Sequence, residues 1–477
     1  MAALAAAAVI GPAAPARAAT ASLELVGQTD LGARGLNAGR AVAGNCVYVG
    51  SRGEGPVAVV DITDPAHPTP AGDLAPRAAT TPRELRAFPE GRWLVVLDDA
   101  LRAGGANRLQ FYRWTDDCRR PVPAGILDFG ARSPHEMYLW RDPARAGRVL
   151  IYVAMFGGGA GDLQVVDASD VAAPRAIATG PALPGPLHSV ALDPDGRRAY
   201  LSDWTGGLYI ADTSAFADAA AAPRFTMLTT PANAYRTAPG NAHSAVPVPG
   251  RQLVLVTDER YPRPAGAGCP FGPAHLVDVS DPAHPRATAT LAILENDPAR
   301  CPGAAPGTWT SHNPTLTENL ALLTWYSGGL QAWDIANAGA PVALAELRPS
   351  GVRALAGDAQ LGATATMTWS YPIIRDGLIY IADINQGLLV VRYRGPHEEE
   401  VARLAFAEGN SNLGPAPAAT SPSPTAAPED SPAPTPATAA SAPRASGLRA
   451  VWVALLLLAA AVVAAAALLI RRRRARP

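Results

Sequence analysis

Four of the eight histidines fall at one point of a repeating pattern. They are His135 in SPHEMYL, His188 in PLHSVAL, His243 in NAHSAVP and His312 in TSHNPTL. Each opens a short apolar run that follows a turn. Neutral imidazoles held at one height around an axis would bind a first-row metal, with iron, copper and zinc as the candidates. Glu136, next to His135, adds a carboxylate as ligand or as acceptor for a ligand's second nitrogen. Other chemistries are closed. All 40 cationic residues are Arg, so no Schiff base or P-loop lysine exists. There is no HExxH and no GxSxG. The Gly-rich FGGGAGD lies between two strands, with no helix after it to receive a phosphate.

The elements that would position these histidines come from internal self-similarity. The phrase "apolar run, Asp, small residue, Pro turn" recurs as VAVVDITDPAHP from Val57, LQVVDASDVAAP from Leu163 and LYIADTSAFADA from Leu208. It returns as AHLVDVSDPAHP from Ala274 and LQAWDIANAGAP from Leu330, with weaker copies from Arg108 and Leu388. Each copy follows another strand across a Gly or Asn turn, such as Asp195-Gly196 or Asp376-Gly377, and such dipeptides signal hairpins. A shorter strand precedes that pair and a fourth follows it. Four strands in each of seven units predict an all-β, seven-bladed β-propeller with four-stranded blades. The histidines then open the channel-lining strands of blades three to six. Arg83-Glu84 holds the same place in blade two, and Ser370 in blade seven. Leu23–Gly32 and Val401–Glu408 compete as the strand that closes the ring.

The loops at the same mouth carry Asp203-Trp204, Asp258-Glu259-Arg260-Tyr261, Trp325-Tyr326 and Asp383 with Asn385, and Met155-Phe156 and Trp309 lie nearby, a candidate ligand face. Turn capping is the competing reading for the acids. The repeat's own Asp residues (Asp61, Asp167, Asp212, Asp278 and Asp334) are read as caps of the following turn, with a calcium role as the alternative.

The repeated phrase resembles the LVIVD-repeat β-propeller family over roughly residues 23–408. The resemblance implies the fold and says little about activity. An all-His site in a propeller channel is similar in arrangement, not in sequence, to carotenoid-cleaving dioxygenases and to methanethiol oxidase and selenium-binding proteins, so no activity is carried over. Two readings of the histidines stay open: metal ligands, or structural side chains that bond neighbouring backbone or line a wet channel. The function expected is a binding or interaction module with a His-lined metal site; the alternative is a metal-dependent oxidoreductase.

The termini place the domain. Residues 1–21 read as a signal peptide, 22–409 as the propeller and 410–447 as a Pro/Ala/Ser/Thr-rich stalk. Residues 448–470 read as a transmembrane helix: Ala450 to Ile470 carries no polar side chain and spans about 31 Å. The Arg-rich 471–477 follows and stays cytoplasmic. The expected protein is single-pass in the plasma membrane, with its N-terminal domain outside and an unknown extracellular ligand or protein as partner. Between the ends lie 41 carboxylates and 33 Arg, a balance that does not point to nucleic acid. Four cysteines in an exported domain suggest two disulfides. Strand order pairs Cys269 with Cys301 at the histidine face and Cys46 with Cys118 at the opposite one.

Overall fold

The computed structural model describes residues 21–156, 162–237, 241–261, 269, 271–303, 307–349 and 365–414. Nearly all of the expected signal peptide and stalk, and the expected membrane helix, lie outside them. No helix among the described residues is long and apolar enough to cross a membrane.

Seven antiparallel sheets follow one another along the chain, one per blade. Blades 1 to 6 each take four consecutive strands. Their inner strands are Asn37–Ala43, Thr80–Phe88, Pro134–Arg141, Leu187–Leu192, Asn241–Pro247 and Pro314–Leu316. Blade 7 is built from Thr368–Arg375, Leu378–Asp383 and Gly387–Arg394, with the N-terminal strand Ser22–Thr29 on its outer edge. Closure therefore falls to the first strand, which pairs Ser22 with Arg394 and Thr29 with Leu388.

Strands whose alternate side chains are all apolar bury both faces, as expected for a sheet packed between two others. The core is accordingly a series of layers between neighbouring blades. Val95, Leu97 and Phe111 of blade 2, for example, meet Met137, Leu139, Ile151 and Val153 of blade 3. The repeat's Asp residues cap their turns: each accepts the backbone N–H two residues on. The distances are 2.8 Å to Thr63, 3.0 Å to Ser169, 2.8 Å to Ser214, 2.8 Å to Ser280 and 2.9 Å to Ala336.

The other competitor for closure does something different. Phe406–Glu408 pairs with Ile373–Arg375 on the inner edge of blade 7, and the chain then crosses the channel. Gly409 N–H donates to Thr315 Oγ1 of blade 6 at 2.9 Å, and a Cβ at Gly409 would lie 1.9 Å from the Pro314 carbonyl oxygen, so only glycine fits. Leu139 of blade 3 then donates its N–H to the Asn410 carbonyl at 3.2 Å and accepts from Asn412 N–H at 3.2 Å. The chain thus stays bound to the propeller as far as Gly414, beyond the stalk boundary expected at residue 410. Glu408 brings a carboxylate 3.6 Å from buried Arg86, which also pairs with Glu84 at 3.0 Å. This strap plugs the end of the channel away from the histidines.

Cys46 and Cys118 form a disulfide, tying the second strand of blade 1 to the loop after the third strand of blade 2. Cys269 and Cys301 do not pair and remain free thiols. Cys301 is buried with Leu291, Ile293 and Trp309, and Cys269 packs against that same cluster, where a thiol behaves as a small hydrophobe. The Cys46–Cys118 bridge closes a separation of 72 residues, which the chain-entropy account values at about 4 kcal/mol. Cys46→Ala/Cys118→Ala is expected to lower unfolding stability by about that amount in urea titration; an unchanged midpoint would remove the bridge from the stability account.

Candidate functional site

The inner strands share a local irregularity that the sequence hides. In blades 3, 4 and 5 the pairing with the second strand slips at one residue: between Pro134 and Glu136, Leu187 and Ser189, and Ala242 and Ser244. The extra residue is His135, His188 or His243. A bulge re-aims the side chain it carries, and here the three imidazoles enter the channel. Blade 2 slips between Pro82 and Glu84, so Arg83 takes the equivalent place. In blade 6, His312 precedes the inner strand and is held by its N–H to the Thr324 carbonyl at 3.0 Å.

All four expected histidines come together as an arc. Ring centroids are 4.2 Å apart for His135–His188, 4.0 Å for His188–His243 and 4.0 Å for His243–His312. The Nε2 atoms of His135 and His188 are 2.8 Å apart. Two carboxylates join them. Glu136 Oε1 lies 3.9 Å from His243 Nε2. Glu259 lies 3.8 Å from His243 Nε2 and 3.5 Å from His312 Nε2. Ligand atoms of Glu136, His188 and His243 lie within 4.8 Å of one another, as do those of His243, Glu259 and His312.

Each carboxylate is held by its surroundings. Tyr371 donates to Glu136 Oε2 at 2.9 Å, and Asn313 Nδ2 reaches Oε1 at 3.4 Å. Tyr326 donates to Glu259 at 2.5 Å, and Tyr261 also donates to it. His243 Nδ1 meets Ser244 Oγ at 2.8 Å. The Nδ1 atoms of His188 and His312 do not reach hydrogen-bond geometry, although the His243 backbone lies beside the first and Asn313 beside the second.

Burial dominates the electrostatics. It holds all four imidazoles well below their ordinary value, and positive Arg83 pushes each in the same direction. They are therefore neutral at pH 7, the form that ligates metals. Burial pushes the Glu136 carboxyl up to about 8, helped by Glu84, and the Glu259 carboxyl up to about 7. A cation placed between them would reverse that shift by favouring the carboxylates. The donor set of neutral imidazoles and two carboxyl groups fits iron, copper or zinc.

The expected ligand face divides. Trp204 stacks on His188 at 4.9 Å, Tyr326 packs on His312 at 4.6 Å, and Tyr261 bonds Tyr326. These three border the cluster. Asp203 and Asp383 instead turn into their own loops: Asp203 accepts from Gly185, Thr205 and Gly206, Asp383 from Met367, Asn385 and Gln386. Trp325 is buried in the apolar layer and donates to the Trp309 carbonyl at 3.0 Å. Asp258 is fully buried, near His275. Charged and aromatic loop residues were thus claimed by turn capping and packing. Glu259, read with the other mouth-loop residues, ends its strand beside the histidines; Tyr371 carries no sequence signal of its own and follows the blade 7 register position by one residue.

Fold and site together define the class: a seven-bladed β-propeller with a histidine and carboxylate cluster inside one mouth of its channel. The chain carries an LVIVD repeat, whose family matches residues 39–74, essentially blade 1. No sequence match to a functionally curated protein was found. Among solved structures, Sqt1 from Chaetomium thermophilum is similar at 14% identity over 78% of this chain and 99% of its own, with a TM-score of 0.50. Saccharomyces cerevisiae Sqt1 matches at 9% identity over 78% and 99%, TM-score 0.48. Chaetomium thermophilum Raptor matches at 14% identity over 80% of this chain and 28% of its own, TM-score 0.47. At these identities the likeness concerns the fold alone.

Proposed function

We propose that this chain is an exported, membrane-tethered β-propeller that binds a first-row metal in the mouth of its channel and takes its ligand over that metal. The convergence of four neutral imidazoles from four successive blades carries the reading. His188, His243 and His312 supply nitrogens, Glu136 and Glu259 supply oxygens, and His135 borders the set. A purely structural role would bond the imidazoles to neighbouring backbone, whereas their ring contacts here are mainly with one another and with aromatic side chains. The apolar segment 448–470 and its Arg-rich flank support the tether. A metal-dependent oxidoreductase is the second reading, favoured by the His243, His312 and Glu259 group, since two His and one carboxylate leave positions open for reaction at iron.

Protease applied to intact cells is expected to release the propeller with metal bound, read by mass spectrometry and elemental analysis. A propeller that stays protected would overturn the tether. A released propeller that holds no metal, and takes up none of iron, copper or zinc, would overturn the metal centre.

A further inference from the structure

The four histidines are not equivalent. His135 belongs to neither of the channel's two groups of converging ligand atoms, and it is the most exposed of the four, at 8% against 1–3%. Its Nε2 faces Arg83, whose guanidinium lies 3.3 Å away. Arg83 occupies in blade 2 the bulge that carries histidine in blades 3 to 5, so it is aimed at the same space. Its Nε is buried and makes no hydrogen bond. No carboxylate among the described residues lies within ion-pair distance of it. The guanidinium groups of Arg83 and Arg52 lie 5.6 and 5.1 Å from the Trp369 ring centroid, which fixes cationic charge at the edge of the cluster. Beside them are half-buried rings: Phe156 packs on His135 at 4.7 Å and meets Trp204 at 5.8 Å.

Resting on the metal reading, we infer that Arg83 anchors a carboxylate ligand with an aromatic or apolar tail. The guanidinium matches a carboxylate in a two-point contact, and the tail lies against Phe156 and Trp204. Charge explains why this pairing belongs at a metal. A divalent cation beside a guanidinium is repelled by it, and a bound anion offsets that repulsion. Metal and carboxylate therefore favour each other, and by linkage each raises the other's affinity by the same factor.

The full chain in detergent is titrated with cobalt(II) and with benzoate, acetate and phosphate, followed by the visible cobalt spectrum and by calorimetry. Benzoate is expected to tighten cobalt binding about tenfold, and cobalt to tighten benzoate equally. Acetate binds more weakly, for want of a ring. Arg83→Gln is expected to hold cobalt at least as tightly as the parent without benzoate, since a like charge is gone. Its benzoate affinity falls tenfold or more, and the coupling disappears. Arg83→Lys, which keeps the charge without the fork, restores part of it. Unchanged benzoate binding in Arg83→Gln overturns the anchor, and phosphate binding more tightly than benzoate overturns the carboxylate assignment. A parent that takes up no cobalt sinks the metal reading alone. Benzoate binding to the metal-free chain, lost in Arg83→Gln, then still upholds the anchor, and its absence in the parent removes it.

Discussion

His188→Ala/His243→Ala is expected to lose bound metal while keeping the seven-sheet fold. His243 belongs to both groups of converging ligand atoms in the channel and His188 to one, so the double variant leaves neither intact; the group of His397, Glu399 and Glu400 stands apart from the four histidines. Loss of an outer partner already costs roughly 10–100-fold in metal affinity; loss of two ligands should go well beyond that. The fold should survive because both side chains face the channel, while the apolar layers lie between blades. Elemental analysis and competitive titration measure the first effect, and circular dichroism the second. Metal content equal to the parent's would place the ion elsewhere and leave the cluster without a role.

In the metal-free chain the buried imidazoles should cost stability as pH falls below about 6.5, a cost that His188→Ala/His243→Ala halves. The four imidazoles are held well below the ordinary histidine value when folded, against about 6.5 when unfolded. Below about pH 6.5 the unfolded chain therefore binds more protons, and each histidine removes about 1.4 kcal/mol per pH unit. Glu136 and Glu259 act with the opposite sign. Pushed up to about 8 and about 7, they keep protons in the folded state that the unfolded state has released, so stability falls as pH rises toward those values. Asp193 and Asp383, each pushed up to about 6 by burial, act the same way, so between about pH 5 and 6 four carboxyls nearly offset four histidines and the parent's own slope is shallow. Urea midpoints from pH 5 to 8 after chelation test this. Relative to the parent, His188→Ala/His243→Ala should gain about 3 kcal/mol as pH falls from 6 to 5, since two imidazoles no longer resist protonation; a difference between the two that does not change with pH contradicts neutral buried imidazoles.

How far the sequence reaches is plain from individual residues. The hairpins, the Asp caps and the shared register of the histidines follow from local rules, because turns and strand periods are short-range. The convergence on one mouth followed too, since pseudo-symmetry turns register into radius. Glu259 emerged only as one of several acids at the mouth, because nothing local separates a carboxylate that reaches the histidines from Asp258 beside it. The bulges that aim the imidazoles are likewise invisible, since a slip of one residue depends on the partner strand. Asn410–Leu413 read as stalk because their hydrogen bonds are to strands hundreds of residues away. Cys269 and Cys301 share a cluster without bonding, a matter of side-chain direction that spacing does not report.

Ring closure by Ser22–Thr29 sets a clock. The first of the propeller's described strands pairs with Gly387–Arg394, nearly the last part of the propeller to be made. At roughly 5–20 residues per second, about 20–70 s pass between their syntheses. Throughout that time the opening strand is an unpaired edge with Leu23 and Leu25 on it, the kind of edge that recruits other chains. The newborn protein is therefore exposed longest at the segment that finally seals it, and whatever shields that segment until closure governs how much of it matures.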